Sequence, residues 1–253
     1  KLTEHGVDSA MIEQIWDNID DEYFVRESTA NIIWHTEAIA ESGAQKTLIL
    51  IEDPSENLNG GATQIFIYTL NKNHLFASSA AAMEKLGLNI QDARIFTSSK
   101  NYCMNTYTVL EDNDNPVSAN AQRQQQIIAL LTEYLVEPTK YLKVSTKRIA
   151  RKLKHFSKHV EAELINSDER PYSTLEINCP DQPGILASIG KIFAEHNIQL
   201  LNARIATLGE RVEDLFFIVN ANNEKIIEQA EIDRLLSDIE EELGDWKKDT
   251  YYA

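Results

Sequence analysis

Two stretches of this chain read alike at a fixed distance. Gln91 to Thr97 is QDARIFT and Leu201 to Thr207 is LNARIAT, an offset of 201 − 91 = 110 residues. Carried backwards, the offset lays LFAS (Leu75 to Ser78) on ILAS (Ile185 to Ser188). It also lays QIFIYTLNKNH (Gln64 to His74) on TLEINCPDQPG (Thr174 to Gly184). Carried forwards with one deletion, it lays NTYTVL (Asn105 to Leu110) on DLFFIV (Asp214 to Val219). Few positions are identical, but the order of element types is the same, which means two copies of one supersecondary unit.

In the second copy, YSTLEINC (Tyr172 to Cys179) is β-rich, is bounded by Pro171 and Pro180, and predicts a strand. From Pro183 the apolar residues Ile185, Leu186, Ile189, Ile192 and Phe193 recur at helical spacing as far as Asn197. A strand follows over Ile198 to Thr207, then a turn at Leu208-Gly209. Val212 to Ala221 is a strand whose Leu-Phe-Phe-Ile-Val run predicts burial on both faces. Glu224 to Leu243 predicts a helix stopped by Gly244, and the tail Asp245 to Ala253 is read as a last strand. The order is βαββαβ, the split β-α-β unit of ferredoxin-like folds.

The first copy reads the same way. Its strand is Thr63 to Thr69, its helix His74 to Leu86 with Gly87 as the stop, and its next strands Leu88 to Thr97 and Tyr102 to Glu111. A helix follows over Ala119 to Val136, and His159 to Asn166 is expected to supply the fourth strand. Ahead of it lie a helix capped by Asp8 or Ser9, a second helix over Glu27 to Ser42, a strand over Lys46 to Asp53 and a turn at Asn57 to Ala62. The expected fold is α+β: a helical region with one extra strand (1–60), then two ferredoxin-like units (61–168 and 169–253).

Charge narrows the partners. Lys plus Arg is 24 and Asp plus Glu is 40, a net −16, which argues against nucleic acid or an anionic membrane. A hydrophobic fraction of 43% is enough for packed cores. Cys103 and Cys179 have no metal-ligand spacing and read as ordinary apolar residues in a reducing compartment. No run approaches the roughly 18 apolar residues of a membrane span. The chain opens on Lys1 rather than Met and is read as a fragment.

Catalytic groupings are sparse. The Asp-x-Asp of Glu111 to Pro116 follows a strand and precedes a proline, so it reads as a surface turn. His155 and His159 point one way in a helix or a strand, without a third ligand. Lys140 to His155 holds seven Lys or Arg and no acid, which suits a clamp on acidic helices or a solvated linker. No P-loop, Gly-x-Ser-x-Gly or Gly-x-Gly-x-x-Gly occurs. Two small units without chemistry suggest binding and regulation.

The best site candidate is the corner NCPDQPGILA (Asn178 to Ala187). Gly184 opens a helix, where free N–H groups and the dipole favour a carboxylate. Asp181 either attracts an ammonium or caps the helix. The matching corner of the first copy, YTLNKNHLFA, lacks the acid, both prolines and the glycine.

These residues carry a resemblance. Cys179 to Ile218, including GERVEDLF (Gly209 to Phe216), resembles the second ACT domain of the bacterial protein-PII uridylyltransferase/uridylyl-removing enzymes. Thr63 to Ser98 is similar to their first ACT domain, Tyr23 to Thr36 to the segment before the pair, and Lys152 to Phe156 to a stretch between the two. The resemblance implies the C-terminal regulatory region of a cytoplasmic enzyme of nitrogen metabolism. In that enzyme a nucleotidyltransferase domain uses UTP and Mg2+ to add UMP to the PII protein, and an HD hydrolase domain removes it. This chain lacks both catalytic motifs, so the segment itself is expected to carry neither activity nor a cofactor. The implied ligand is glutamine, sensed at Asp181, Gly184, Ile185 and Leu186, with Asn202 and, less directly, Asp92 on the following strands. The implied partners are PII and the enzyme's own catalytic domains. The rival reading is an interaction module that grips those domains or PII and binds no small molecule.

Overall fold

The structure, a computed structural model, describes residues 2–4, 6–43, 47–52, 61–117, 120–141, 160–181, 184–208 and 211–244. Three helices come first: α1 (Ser9–Trp16), α2 (Asp21–Arg26) and α3 (Thr29–Ser42). The strand β1 (Leu48–Ile51) leads into β2 (Thr63–Leu70), α4 (Leu75–Lys85), β3 (Leu88–Phe96), β4 (Tyr102–Glu111) and α5 (Ala121–Val136). A 3-10 turn (Pro138–Tyr141) precedes the second series. That series is β5 (Glu161–Asn166), β6 (Ser173–Pro180), α6 (Ile185–Glu195), β7 (Gln199–Leu208), β8 (Arg211–Val219) and α7 (Gln229–Gly244).

All eight strands form one antiparallel sheet in the order β1-β2-β4-β3-β7-β8-β6-β5. Each half has the strand order of a ferredoxin-like unit, and the halves meet where β3 pairs with β7. The repeat and the pairing agree on one residue pair. Arg94 lies opposite Arg204 and is also its counterpart at the offset of 110. A local two-fold through that pair therefore exchanges the units. Both copies even share a register shift, at Ile90/Asp92 and at Leu200/Asn202.

The source of the fourth strand differs from the expectation. The stretch 159–166 does not close the first unit; its strand β5 pairs with β6 and forms the outer edge of the second. The outer edge of the first unit is β1, paired with β2. Each unit thus takes its edge strand from the chain ahead of it. An antiparallel edge position needs only hydrogen-bonding geometry and an apolar inner face, and a segment arriving from either direction satisfies both. The tail 245–253, the run 142–159 with His155 and His159, and residues 57–60 of the predicted turn lie outside the described residues.

Local chemistry explains the helix starts. Asp8 caps α1 by accepting from the Ala10 and Met11 N–H groups. Ser28 caps α3 through Asn31 N–H, and Asn120 caps α5 through Gln122 N–H. The last helix starts at Gln229, not at Glu224. Asn220 Oδ1 accepts from the N–H groups of Asn222 and Glu224, and Ile226 N–H donates to Ser173 Oγ. Side-chain partners thus hold this stretch out of the helix. The short α2 has too little length for a periodic signal and is absent from the sequence reading.

The helices α4, α5, α6 and α7 share one continuous apolar core with the inner sheet face, from Ile65, Ile67 and Tyr107 in one half to Leu175, Ile177 and Phe216 in the other. Phe76 of the first unit meets Phe216 of the second at 6.2 Å, edge to face. On the opposite face of the first half, Ile15, Ile19, Tyr23 and Ile39 from α1–α3 and their connections pack on Phe66, Tyr68, Phe96 and Met104. In β8 the predicted two-face burial holds for one face only: Phe216 and Ile218 are buried, whereas Leu215 and Phe217 are half-buried.

Candidate functional site

The two-fold brings two equivalent corners to the seam between the units: β2–α4 and β6–α6. Both turn the chain in the same way. The helix N-cap is left-handed in each, His74 at φ 65°, ψ 18° and Gly184 at φ 79°, ψ 6°. Glycine adopts this conformation without cost, whereas a side chain costs about 1–2 kcal/mol. The first corner keeps the geometry without the glycine.

At the second corner, Asp181 is half-buried just beyond β6, and residues 182 and 183 lie outside the described residues. Ile185 and Leu186 are buried in the shared core, so only their backbone can reach a ligand. Gly184 faces α4 of the other unit. A Cβ placed on it would lie 2.9 Å from Glu84 Oε1 and 3.0 Å from Oε2. Glu84 is itself buried. Asp214 lies on β8 opposite Ile177 and is 1% exposed. Its charge and that of Asp181, after burial itself, push the Cys179 thiol up to about 12.

Asn202 and Asp92 do not meet. Asn202 is buried opposite Phe96, and Asp92 pairs with Ala206. Four residues of strand, about 13 Å, separate the two along the seam. Asp92 is ion-paired with Arg94 at 3.4 Å, and burial nevertheless raises its carboxyl above the usual range.

The first corner holds what the sequence reading missed. A cavity of about 200 Å³ opens there, walled by the corner residues Asn71 to Ala77, by Thr97, Cys103 and Asn105, and by α6 and β7 of the other unit. None of the six residues singled out from the sequence is among its described lining residues. Much of the polar wall is engaged. Lys72 Nζ donates to the Leu135 and Val136 carbonyls at 3.0 and 3.1 Å, and Cys103 Sγ donates to Asn71 Oδ1 at 3.3 Å. Asn105 differs from these. It is 1% exposed, and its Oδ1 has no hydrogen-bond partner among the described residues. A polar residue at an inward position of a central strand was its available signal. Asn105 and Asp214 are counterparts, facing Ile67 and Ile177 respectively.

Among the described residues no three His, Cys, Asp or Glu side chains converge on a metal position. The arrangement is suited to recognition: two fused ferredoxin-like units with a small polar cavity at their seam define a regulatory module of the ACT type.

Comparison with known proteins agrees. Residues 173–231 match the family model of the ACT domain, and residues 1–38 match that of the uridylyltransferase GlnD fifth domain. The bifunctional uridylyltransferase/uridylyl-removing enzyme of Pseudomonas fluorescens is 42% identical over 244 residues, 96% of this chain and 27% of that protein. The enzyme of the same name from Pseudomonas savastanoi is 44% identical over 223 residues, 88% of this chain and 25% of that protein. The chain is a relative of these enzymes and spans about a quarter of their length, as their ACT-bearing regulatory region. Among solved structures, the aspartate kinase of Synechocystis aligns over 74% of this chain and 27% of that one at 16% identity, with a TM-score of 0.42. The regulatory subunit of aspartate kinase from Thermus thermophilus aligns over 78% of this chain and 97% of that one at 12% identity, TM-score 0.24. Both likenesses are loose, and the fold stands on its own strand order.

Proposed function

We propose that this region senses a free amino acid, glutamine before others, and biases the catalytic parts of a cytoplasmic uridylyltransferase/uridylyl-removing enzyme. Glutamine would favour removal of UMP from the PII protein over its addition. UTP and Mg2+ belong to those catalytic parts, outside the residues of this chain.

The observation that carries the reading is the seam. Each β–α corner abuts the helix of the other unit, and one encloses a cavity of about 200 Å³ with an unpartnered buried acceptor. A ligand seated there touches both units, so it stabilises one mutual arrangement over others. That differential affinity is what an allosteric effector requires. The two corners are alternative candidate seats: the second has Asp181 for an ammonium and the backbone at Gly184, Ile185 and Leu186 for a carboxylate, while along the seam Asp92 lies toward the second corner and Asn202 toward the first. The first offers the start of α4 and Asn105.

Calorimetric titration of the 253-residue chain with glutamine, against glutamate as control, tests the reading. Heat with glutamine and much less with glutamate is expected. Equal affinity for the two, or no heat, rejects glutamine sensing and leaves a contact surface for PII or the catalytic domains.

A further inference from the structure

We propose that the chain has one amino-acid seat rather than two, at the β2–α4 corner, and that Glu84 is a built-in carboxylate that closes the other. This rests on the amino-acid-sensing reading above and adds which corner is open and why.

The offset of 110 that exchanges the units sends His74 to Gly184 and Glu84 to Ala194. The two corners are equivalent in backbone, with left-handed N-caps and helices of 11 residues. They differ in what the opposite helix presents. Against Gly184 lies the Glu84 carboxylate, both oxygens within about 3 Å of where a Cβ would stand. The first turn of α6 begins there, and a helix start attracts an anion through its free N–H groups and its dipole. Glu84 thus supplies the negative group that a ligand carboxylate would otherwise supply. A side chain at 184 would press on the carboxylate and make it shift.

At the first corner the residue in that role is Ala194. It has no carboxylate and little bulk, and at this corner a cavity of about 200 Å³ opens, which α6 meets through Gly190 and Phe193. The first-turn residues Leu75, Phe76 and Ala77 line it, so the start of α4 faces the opening. Asn105 supplies the independent observation. Its buried, unpartnered Oδ1 is an acceptor, and a buried acceptor without a donor costs about 1–3 kcal/mol. A ligand N–H would relieve that cost. A carboxylate toward the start of α4 and an ammonium or carboxamide toward Asn105 describe a small amino acid.

The counterpart of Asn105 is Asp214. The second corner therefore gathers Asp181, Glu84 and Asp214, whose charges oppose a second incoming carboxylate. The first corner has the Lys72 ammonium in its wall instead.

The test is calorimetric titration of the 253-residue chain with each proteinogenic amino acid, on wild type and four variants. The expected result is one ligand per chain. Ala194→Glu, which copies the plug into the open corner, and Asn105→Leu each weaken binding about tenfold or more. Asp181→Ala stays within about twofold. Glu84→Ala raises the count to two. A wild-type count of two, a loss in Asp181→Ala with Ala194→Glu unchanged, or a Glu84→Ala count that stays at one overturns the proposal. An amino acid other than glutamine that binds once and is sensitive to Ala194→Glu supports the seat while removing glutamine as its occupant. No heat with any amino acid overturns both. Should Ala194→Glu fail to melt cooperatively, Asn105→Leu and ligand-induced amide shifts decide: shifts confined to 71–77 support the seat, and shifts confined to 181–187 overturn it.

Discussion

Gly190 of α6 rests directly on Ala77 of α4, with no room for a side chain between them. A Cβ on residue 190 would lie 2.5 Å from Ala77 Cα and 2.6 Å from its Cβ. The atoms met belong to a helix backbone and cannot swing aside. Helix propensity alone favours alanine over glycine by about 1 kcal/mol. Overpacking costs about 1–3 kcal/mol and wins here. Gly190→Ala is therefore expected to lower the melting temperature by about 2–8 °C. A higher melting temperature would show that the two helices can part without cost.

Arg94 and Arg204 are counterparts in the repeat with opposite expected phenotypes. Arg94 Nη1 donates to Glu27 Oε2 at 2.7 Å, and the Glu27 side chain is only 4% exposed. Asn31 Nδ2 donates to the same oxygen at 2.9 Å. The pair ties the α1–α3 layer to β3. Arg94→Ala leaves a buried carboxylate without its cation, at a cost of about 2–4 kcal/mol. Arg204 is exposed, and Arg204→Ala should stay within about 0.5 kcal/mol. Urea denaturation midpoints for the two variants check this; equal shifts would mean that the ion pair does not anchor the helical layer.

The repeat made most of the fold legible, because strands and helices recur at one offset and the apolar positions recur with them. The edge strands were not, since nothing in EAELIN (Glu161 to Asn166) says which neighbouring unit it joins. The corner was half legible. Gly184 announces a left-handed residue, but His74 adopts the same conformation and does not. The cavity was illegible for a different reason. It depends on what the opposite helix presents at each corner, Glu84 at one and Gly190 and Phe193 at the other, a contrast that exists only once β3 has paired with β7.

The two thiols give a readout of the corners. Burial pushes Cys103 up to about 11, and burial with the charges of Asp214 and Asp181 pushes Cys179 up to about 12. Alkylation requires the thiolate, so both should resist iodoacetamide at pH 7.5 until the chain unfolds. Cys103 lines the cavity, and a bound amino acid should slow its labelling further while leaving Cys179 as it was. Mass spectrometry of each cysteine peptide over time measures this. Rapid native-state labelling of Cys103 would mean that the β2–α4 corner opens readily.

The helical layer contains a titratable group whose effect on stability has a definite sign. His35 is fully buried, stacks on Phe66 at 3.6 Å, and pairs through Nδ1 with the Tyr23 hydroxyl at 2.6 Å. Burial, with the nearby Arg94 charge, holds its pKa well below 6.5, so the folded chain keeps it neutral. In the unfolded chain it binds a proton below about pH 6.5. Its contribution is therefore complete above that value and declines as the pH falls beneath it, by up to about 1.4 kcal/mol per unit, until the folded pKa is reached. Between pH 7.5 and 5.5 the wild type should lose about 1.4 kcal/mol from this group. His74, also lowered by burial, adds a smaller loss of the same sign. Comparison with His35→Leu isolates the larger part: the variant is less stable throughout, but its stability should vary less with pH over this window. An unchanged slope in the variant would exclude the His35 imidazole as the source.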